Sequence, residues 1–280
     1  MTPTNTAATT GANATTTTVD AAGIGPVEVS LTERGEGHPV LLLHGGAGPQ
    51  SVTGFADLVA AREHARVLTP THPGFGGTAR PDGLTSAAGL AATYTALLEA
   101  LDLTDVTVVG NSVGGWVAAE MALTGSARIS SVVLVDAVGI EVPGHPVADV
   151  SSLTMDQVAE LSYHDPDAFR IDVSTMPPAQ AAAMAGNRAA LTVYGGEPSM
   201  TDPTLAGRLG AVTVPVLVIW GESDRIVDPD YGRAYARAVP GARFHLLPGT
   251  GHLPQVETPD QLVAPVWQFA DANATARPAG

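Results

Sequence analysis

Short apolar runs recur along the chain and alternate with stretches of helical spacing. Residues 27–32 alternate apolar and polar side chains, which is typical of a half-exposed edge strand. A continuous apolar run at 39–43 suits a strand covered on both faces, and further strand patterns occur at 67–70, 107–112, 131–136, 214–220 and 243–247. A weaker strand signal lies at 35–38, and helical spacing occurs in 51–62, 85–101, 229–238 and 259–273. The alternation predicts an α/β fold with a mostly parallel, twisted sheet of about eight strands and helices on both faces.

The pattern changes between residues 139 and 209. Prolines interrupt short helical pieces there, and the sequence has no strand pattern. We therefore predict that 139–209 form a small helical cap, inserted into a core made of 21–138 and 210–280. Residues 1–20 are mostly Thr and Ala, and we interpret them as a flexible N-terminal tail.

The charge balance narrows the range of partners. Asp and Glu outnumber Lys and Arg by 28 to 13 in 280 residues, which gives a formal net charge of −15 at pH 7. Such a surface repels phosphate backbones, so we expect no nucleic acid partner. No apolar run approaches the roughly 20 residues of a membrane span, and residues 1–20 lack the basic and apolar blocks of a targeting signal. These features predict a cytoplasmic protein that acts on a small molecule.

Residue usage also limits the available chemistry. The chain has no cysteine, which excludes disulfides, thiolate metal sites and a cysteine nucleophile. The sequence contains no cluster of His, Asp and Glu with metal-ligand spacing and no glycine-rich phosphate loop with a lysine. We therefore expect neither a metal nor a cofactor.

One stretch combines a strand, a sharp turn and a helix in very few residues. The run from 107 leads into the motif Gly110-x-Ser112-x-Gly114, and an alanine-rich helical segment follows. Such a turn forces its apex residue into a strained backbone conformation and points its side chain away from the sheet. Glycine fits at both flanking positions because a side chain there would collide across the turn. Ser112 is therefore predicted to be a nucleophile at the positive end of the following helix.

Three polar residues come directly after predicted buried strands: Ser112, Asp224 and His252. The carboxyl ends of parallel strands lie along one edge of a sheet, where ligands bind. A serine hydroxyl needs a base to remove its proton, and histidine titrates near neutral pH. A buried carboxylate holds the imidazole in the required tautomer and stabilises the imidazolium ion. The chain order Ser, Asp, His is the one expected for a nucleophile on a strand-to-helix elbow.

Five short motifs occur in one order along the chain: His-Gly-Gly-Ala-Gly at 44–48, His-Pro-Gly-Phe-Gly at 72–76, Gly-Asn-Ser-Val-Gly-Gly at 110–115, Trp-Gly-Glu-Ser-Asp at 220–224 and Gly-His at 251–252. In these motifs the sequence resembles the α/β-hydrolase superfamily, in its capped branch of esterases, lipases and related hydrolases. The resemblance implies Ser112 as nucleophile, Asp224 as acid and His252 as base. It also implies an oxyanion hole formed by the backbone N–H groups of Gly46 and Val113.

Other polar and aromatic residues near these motifs have simpler interpretations. Asp136 also follows a buried strand, and because some family members hold their acid at that position, it is the alternative acid. We expect His44 and His72 to orient their loops by hydrogen bonding rather than to transfer protons. Trp116 and Trp220 are expected in the core.

These features predict a serine hydrolase that cleaves a small, mostly apolar carboxylic ester through an acyl-enzyme intermediate. Apolar residues of the cap are candidates for the roof of the pocket: Met155, Leu161, Phe169, Met184 and Leu191.

Three other activities fit the same motifs. The loop 45–49 and the Gly-Asn-Ser elbow are similar to hydrolases that cleave a carbon–carbon bond next to a ketone in diketone-type substrates. Those enzymes usually carry tryptophan directly after the catalytic histidine, where this chain has Leu253. A perhydrolase shares the triad, and a small-molecule receptor without turnover shares the fold. The sequence leaves open the natural substrate, acyl-chain length, stereochemical preference and oligomeric state.

Overall fold

The structure is a computed structural model that describes residues 12–150, 152–171, 174–196 and 200–275. Within these ranges the strands are β1 (Asn13–Ala21), β2 (Gly25–Arg34), β3 (His38–Leu43), β4 (Ala65–Pro70), β5 (Val106–Asn111), β6 (Ile129–Val135), β7 (Val216–Gly221) and β8 (Arg243–Leu247). The α-helices are α1 (Gln50–Arg62), α2 (Ala87–Ala100), α3 (Val113–Leu123), α4 (Met155–Ser162), α5 (Pro178–Gly195), α6 (Leu205–Arg208), α7 (Pro229–Ala238), α8 (Pro254–Glu257) and α9 (Pro259–Asn273). Short 3-10 helices span Pro166–Phe169 and Leu209–Ala211.

All eight strands belong to one sheet, in the order β1-β2-β4-β3-β5-β6-β7-β8. The pairs β1–β2 and β2–β4 are antiparallel, and the remaining neighbours are parallel. Alternate strand residues face opposite layers, so Val108 belongs to the core cluster that includes residues of α2, α3 and α7, and Val109 to the cluster that includes residues of α1 and α9. The predicted α/β fold, with a mostly parallel sheet of about eight strands, is confirmed.

The prediction of a flexible tail over residues 1–20 is wrong for its second half. Asn13–Ala21 form β1, which pairs with β2 along its whole length. Its threonines at 15–18 are β-branched and favour an extended backbone, and Val19 and Ala21 are buried. Residues 1–11 lie outside the described part of the chain.

The weak strand signal at 35–38 is also wrong. Gly35 and Gly37 have φ values of 70° and 113° and turn the chain between β2 and β3. His64 closes this turn, because its carbonyl accepts the N–H of His38 at 3.0 Å. The eighth strand is therefore β1 rather than a strand between β2 and β3.

In the described part of 139–209, the regular elements are helices: α4, α5, α6, the 3-10 helix Pro166–Phe169 and the first residue of the 3-10 helix Leu209–Ala211. The two ends of this segment meet where the N–H of Asp202 donates to the carbonyl of Gly139 at 2.8 Å. The division into core and cap stays a prediction. None of the described helices is long and apolar enough to cross a membrane.

Candidate active site

The elbow predicted around Ser112 is present between β5 and α3. Ser112 has φ 57° and ψ −121°, a conformation that few residues other than glycine adopt. A Cβ atom on Gly110 would lie 2.1 Å from the carbonyl oxygen of Gly114, and one on Gly114 would lie 2.5 Å from that of Leu43. Both glycines are therefore required by close backbone approaches, and Ser112 lies directly before the N-terminal turn of α3.

His252 and Asp224 form a buried hydrogen-bonded pair. The Nδ1 atom of His252 donates to Oδ2 of Asp224 at 2.7 Å. The other carboxylate oxygen of Asp224 accepts the backbone N–H groups of Ile226 at 2.8 Å and Val227 at 3.1 Å. With Nδ1 as the donor, the Nε2 atom of His252 is the acceptor in the neutral ring, which is the tautomer that a base requires.

Side-chain amides join the loop of His252 to the serine elbow. Asn111 directly precedes Ser112, and its Nδ2 donates to the carbonyl of His252 at 3.0 Å. Its Oδ1 accepts the amide of Gln255 at 3.1 Å. Neither amide was predicted from the sequence, although Asn111 lies inside the elbow motif. Their hydrogen bonds hold the backbone of His252 next to the elbow that carries Ser112.

The loop that contains the predicted oxyanion donor Gly46 packs against the elbow. A Cβ atom on Gly45 would lie 3.0 Å from the Cβ of Ser112. Val113 is the first residue of α3, where backbone N–H groups have no partner inside the helix. Leu191 of α5 covers Gly46. A Cβ atom on Gly46 would lie 2.5 Å from a methyl carbon of Leu191. The assignment of Gly46 and Val113 as oxyanion donors stays a prediction.

Two buried histidines hold the neighbouring loops, as expected. The backbone N–H of His72 donates to Nε2 of His44 at 3.0 Å, and Nε2 of His72 donates to the carbonyl of His44 at 2.8 Å. The hydroxyl of Tyr94 donates to Nδ1 of His72 at 2.5 Å. Burial lowers the pKa of His44 to about 4, and burial together with His44 lowers the pKa of His72 well below its usual value. Both rings are therefore neutral at pH 7 and serve as hydrogen-bonding links.

These histidines are expected to make the fold acid-sensitive. In the unfolded chain a histidine binds its proton near pH 6.5, whereas folded His44 does so only near pH 4. The unfolded state therefore holds more protons between these values, and stability falls as the pH drops through this window. His44→Asn is expected to lessen the slope of unfolding free energy against pH, by up to about 1.4 kcal/mol per pH unit near pH 5 and by less near pH 7. Urea unfolding between pH 7 and pH 5 measures this slope.

The matched control is His64→Asn, because His64 is an exposed histidine. This variant is expected to keep the wild-type slope. Equal slopes for the wild type and His44→Asn would contradict the assignment of a neutral, buried ring.

Other expected positions agree with the structure. Trp116 and Trp220 are 6% and 0% exposed, and the indole N–H of Trp220 donates to the carbonyl of Val227 at 2.9 Å. Asp136 is buried at the end of β6, but the carboxylate that accepts His252 Nδ1 is that of Asp224. Asp224 is therefore the aspartate that bonds the ring of His252, and its role as the acid stays a prediction.

A mixed, mostly parallel sheet with a serine on a strand-to-helix elbow defines a class of hydrolase scaffold. The model of the alpha/beta hydrolase family matches residues 40–265. The chain therefore belongs to the alpha/beta hydrolase family, and it is a hydrolase of this fold.

The names of similar proteins indicate that they cleave different kinds of bond. The chain is 29% identical over 259 residues to the 2-hydroxymuconate semialdehyde hydrolase of Pseudomonas putida, which covers 88% of this chain and 92% of that protein. The solved structure of a thermophilic esterase from Thermogutta terrifontis matches with a TM-score of 0.73 and 22% identity, covering 93% and 100% of the two chains. A meta-cleavage product hydrolase from Pseudomonas fluorescens matches with a TM-score of 0.75 and 23% identity, covering 92% and 98%. At these identities, the two structural matches establish the fold alone.

Proposed function

We propose that the protein hydrolyses small, mostly apolar carboxylic esters through an acyl-enzyme intermediate on Ser112. The observation that carries the proposal is the 2.7 Å hydrogen bond between His252 and Asp224, on a loop bonded to the serine elbow through Asn111. A neutral imidazole held in this tautomer is suited to accept the serine proton.

The reaction has two matched halves. The Ser112 oxygen attacks the ester carbonyl while Nε2 of His252 takes its proton, and His252 then gives this proton to the leaving alcohol. Water repeats the sequence on the acyl-enzyme, so that the acid leaves and the Ser112 hydroxyl is restored. The N–H groups of Gly46 and Val113 stabilise the negative oxygen in both halves, and losing one such donor typically costs about 3 kcal/mol.

In this proposal, residues 139–209 form a cap whose helix α5 roofs the site. Asn187 Oδ1 accepts the N–H of Gly76 at 2.8 Å, and the Tyr194 hydroxyl donates to the carbonyl of Pro73 at 2.7 Å. These bonds tie α5 to the core loops on either side of Leu191. Because Ser112 is only 8% exposed beneath this roof, water is largely excluded and a compact apolar acyl group is favoured.

A second candidate is hydrolysis of a carbon–carbon bond, which the names of several relatives describe. Their named substrates, such as 2-hydroxy-6-oxo-2,4-heptadienoate, carry a carboxylate. The formal net charge of −15 disfavours binding of such an anion. Arg80, beside Gly74, and Arg188 of α5 donate to backbone carbonyls: Arg80 to Leu84 at 2.9 Å, and Arg188 to Leu153 at 3.3 Å. These features support a neutral ester as the substrate.

A substrate comparison separates the two candidates. Initial rates are measured with 4-nitrophenyl acetate and butyrate, and with 2-hydroxymuconate semialdehyde followed by loss of its colour. We expect kcat/KM for the esters to exceed that for the semialdehyde. The reverse order would favour carbon–carbon cleavage. Absence of both burst and turnover with every substrate would favour a receptor.

Leu191 is expected to limit the length of the acyl chain. Leu191→Ala removes the side chain that covers Gly46, so kcat/KM for 4-nitrophenyl octanoate relative to the acetate is expected to rise about tenfold. Val193→Ala is the matched control, because two residues along a helix place a side chain on nearly the opposite side. An unchanged octanoate-to-acetate ratio in Leu191→Ala would contradict this role.

A further inference from the structure

Asp136 is a buried carboxyl group that the proposed reaction does not use. It lies directly after β6 with φ 46°, and it is 0% exposed. Its Oδ1 accepts the N–H of Gly221 at 2.8 Å. Among the described residues, its Oδ2 has no hydrogen-bond donor. An ionised carboxylate with one bare oxygen in such a site would be costly, whereas a protonated one needs only an acceptor.

That acceptor is next to it. A carboxylate oxygen of Asp136, one of Asp224 and a ring nitrogen of His252 all lie within 4.8 Å of one another. Two buried carboxylates at this separation do not both ionise, and one of them retains a proton. Asp224 accepts three N–H donors, and Asp136 accepts one. The number of donors therefore assigns the negative charge to Asp224 and the proton to Asp136.

The charged surroundings of Asp136 favour the same assignment. Burial raises the pKa of Asp136 well above its usual range, and the negative charges of Asp224 and Glu257 raise it further. Asp224 follows β7 and Glu257 lies in α8, and His252 is in the loop before α8. The N–H of Gly221 acts in the opposite direction, and its contribution is smaller than those of burial and Asp224.

We propose that Asp136 is a positioning residue whose protonated Oδ2 donates a hydrogen bond to the carboxylate of Asp224. The effect of this hydrogen bond on catalysis rests on the proposed function, whereas the hydrogen bond itself is inferred from the geometry alone. The hydrogen bond fixes the orientation of the Asp224 carboxylate toward His252 Nδ1. It also leaves the buried site with one negative charge instead of two, which limits how strongly the imidazolium form of His252 is stabilised.

The first test is independent of activity. Asp136→Asn keeps the pattern of hydrogen bonds, because its amide accepts from Gly221 and donates to Asp224, but it cannot ionise. In the unfolded chain Asp136 releases its proton near pH 4, whereas in the folded protein it keeps it. Raising the pH above 4 therefore lowers the stability of the wild type, but it does not lower that of the variant, which has no proton to release at this position. We therefore expect the urea midpoint of Asp136→Asn minus that of the wild type to increase from pH 5 to pH 8.

The control for this test is Asp82→Asn, because Asp82 is an exposed aspartate. Its urea midpoint is expected to follow that of the wild type over the same pH range. If the midpoint of Asp136→Asn minus that of the wild type stays constant or falls as the pH rises, the proposal is overturned, because folded Asp136 would then be ionised.

The second test uses the pH profile of ester hydrolysis. Asp136→Asn is expected to keep kcat/KM within about threefold, with the acid limb of the profile in place. Asp136→Ala is expected to lose about tenfold, as when a hydrogen bond to a charged group is removed, and its acid limb moves to higher pH. An acid limb of Asp136→Asn that moves about one pH unit lower would overturn the proposal, since it would reveal a lost negative charge.

The two tests separate this inference from the proposed function. If the wild type hydrolyses no ester, the proposed function fails, and the urea series still decides whether Asp136 is protonated. If ester hydrolysis depends on Ser112 but the difference in urea midpoint stays constant, the inference about Asp136 fails alone.

Discussion

Ser112→Ala is expected to lower kcat/KM for 4-nitrophenyl butyrate by about ten-thousandfold or more. The variant leaves His252, Asp224 and the backbone donors in place, but it removes the only oxygen that forms the acyl-enzyme. In serine hydrolases, loss of the nucleophile leaves only the catalysis due to substrate binding and the oxyanion hole. Initial rates and the presence of a burst measure the effect. A decrease of less than tenfold would mean that another residue is the nucleophile.

Ser112→Gly provides the control for folding in this experiment. Glycine adopts a φ of 57° without the strain that serine or alanine carries there. We therefore expect Ser112→Gly to be more stable than Ser112→Ala by about 1 kcal/mol, although both lack activity. If the two variants unfold at the same urea concentration, the backbone at residue 112 is not strained.

Gly110→Ala is expected to destabilise the fold strongly, although it adds only one methyl group. Its Cβ would lie 2.1 Å from the carbonyl oxygen of Gly114, and the elbow that carries this oxygen has no flexible side chain that could move instead. We expect a loss of about 3 kcal/mol in the free energy of unfolding, together with loss of activity because Ser112 is displaced. Urea unfolding followed by circular dichroism measures the first effect.

Gly54→Ala is the matched control for this substitution. Gly54 is exposed within α1, and a Cβ there would meet no atom within 4 Å. Because alanine favours a helix over glycine, this variant is expected to gain about 0.5–1 kcal/mol of stability. If the two variants changed stability equally, the close approach at Gly110 would not be the cause.

The sequence predicts the sheet and the elbow because both depend on local patterns. Apolar runs mark the strands that are mostly buried, and these were found at β3 through β7, while β8 is an edge strand with exposed Arg243 and His245. The elbow is predictable since Gly110, Ser112 and Gly114 must occupy adjacent positions in one tight turn. Asp224 and His252 could be assigned to the same site as Ser112, because each follows a strand and parallel strands end at the same edge of the sheet.

Features that depend on distant contacts were not predictable in this way. The hydrogen bond from Asn111 to His252 joins residues 141 positions apart, and no local pattern indicates it. The approach of Leu191 to Gly46 likewise depends on how α5 packs across the core loops. Strand β1 was missed because its Thr and Ala composition resembles that of a linker, and its stability comes from pairing with β2.

Asp136 illustrates the same limit for chemistry. Two aspartates each follow a buried strand, and in the sequence both are compatible with pairing to the histidine. Only the backbone around them distinguishes the two, because the turn after Asp224 supplies the N–H groups of Ile226 and Val227. Which of the two aspartates carries the negative charge therefore depends on the fold rather than on the residue type.

Activation of Ser112 as a nucleophile by His252 underlies every step of the proposed reaction. It is tested most directly by reaction with a 4-nitrophenyl alkylphosphonate, followed by peptide mass spectrometry, which requires no knowledge of the natural substrate. We predict a single adduct on Ser112, no adduct in Ser112→Ala, and much slower labelling in His252→Ala. An adduct on a different residue, or ester hydrolysis that continues while Ser112 stays unmodified, would contradict this mechanism.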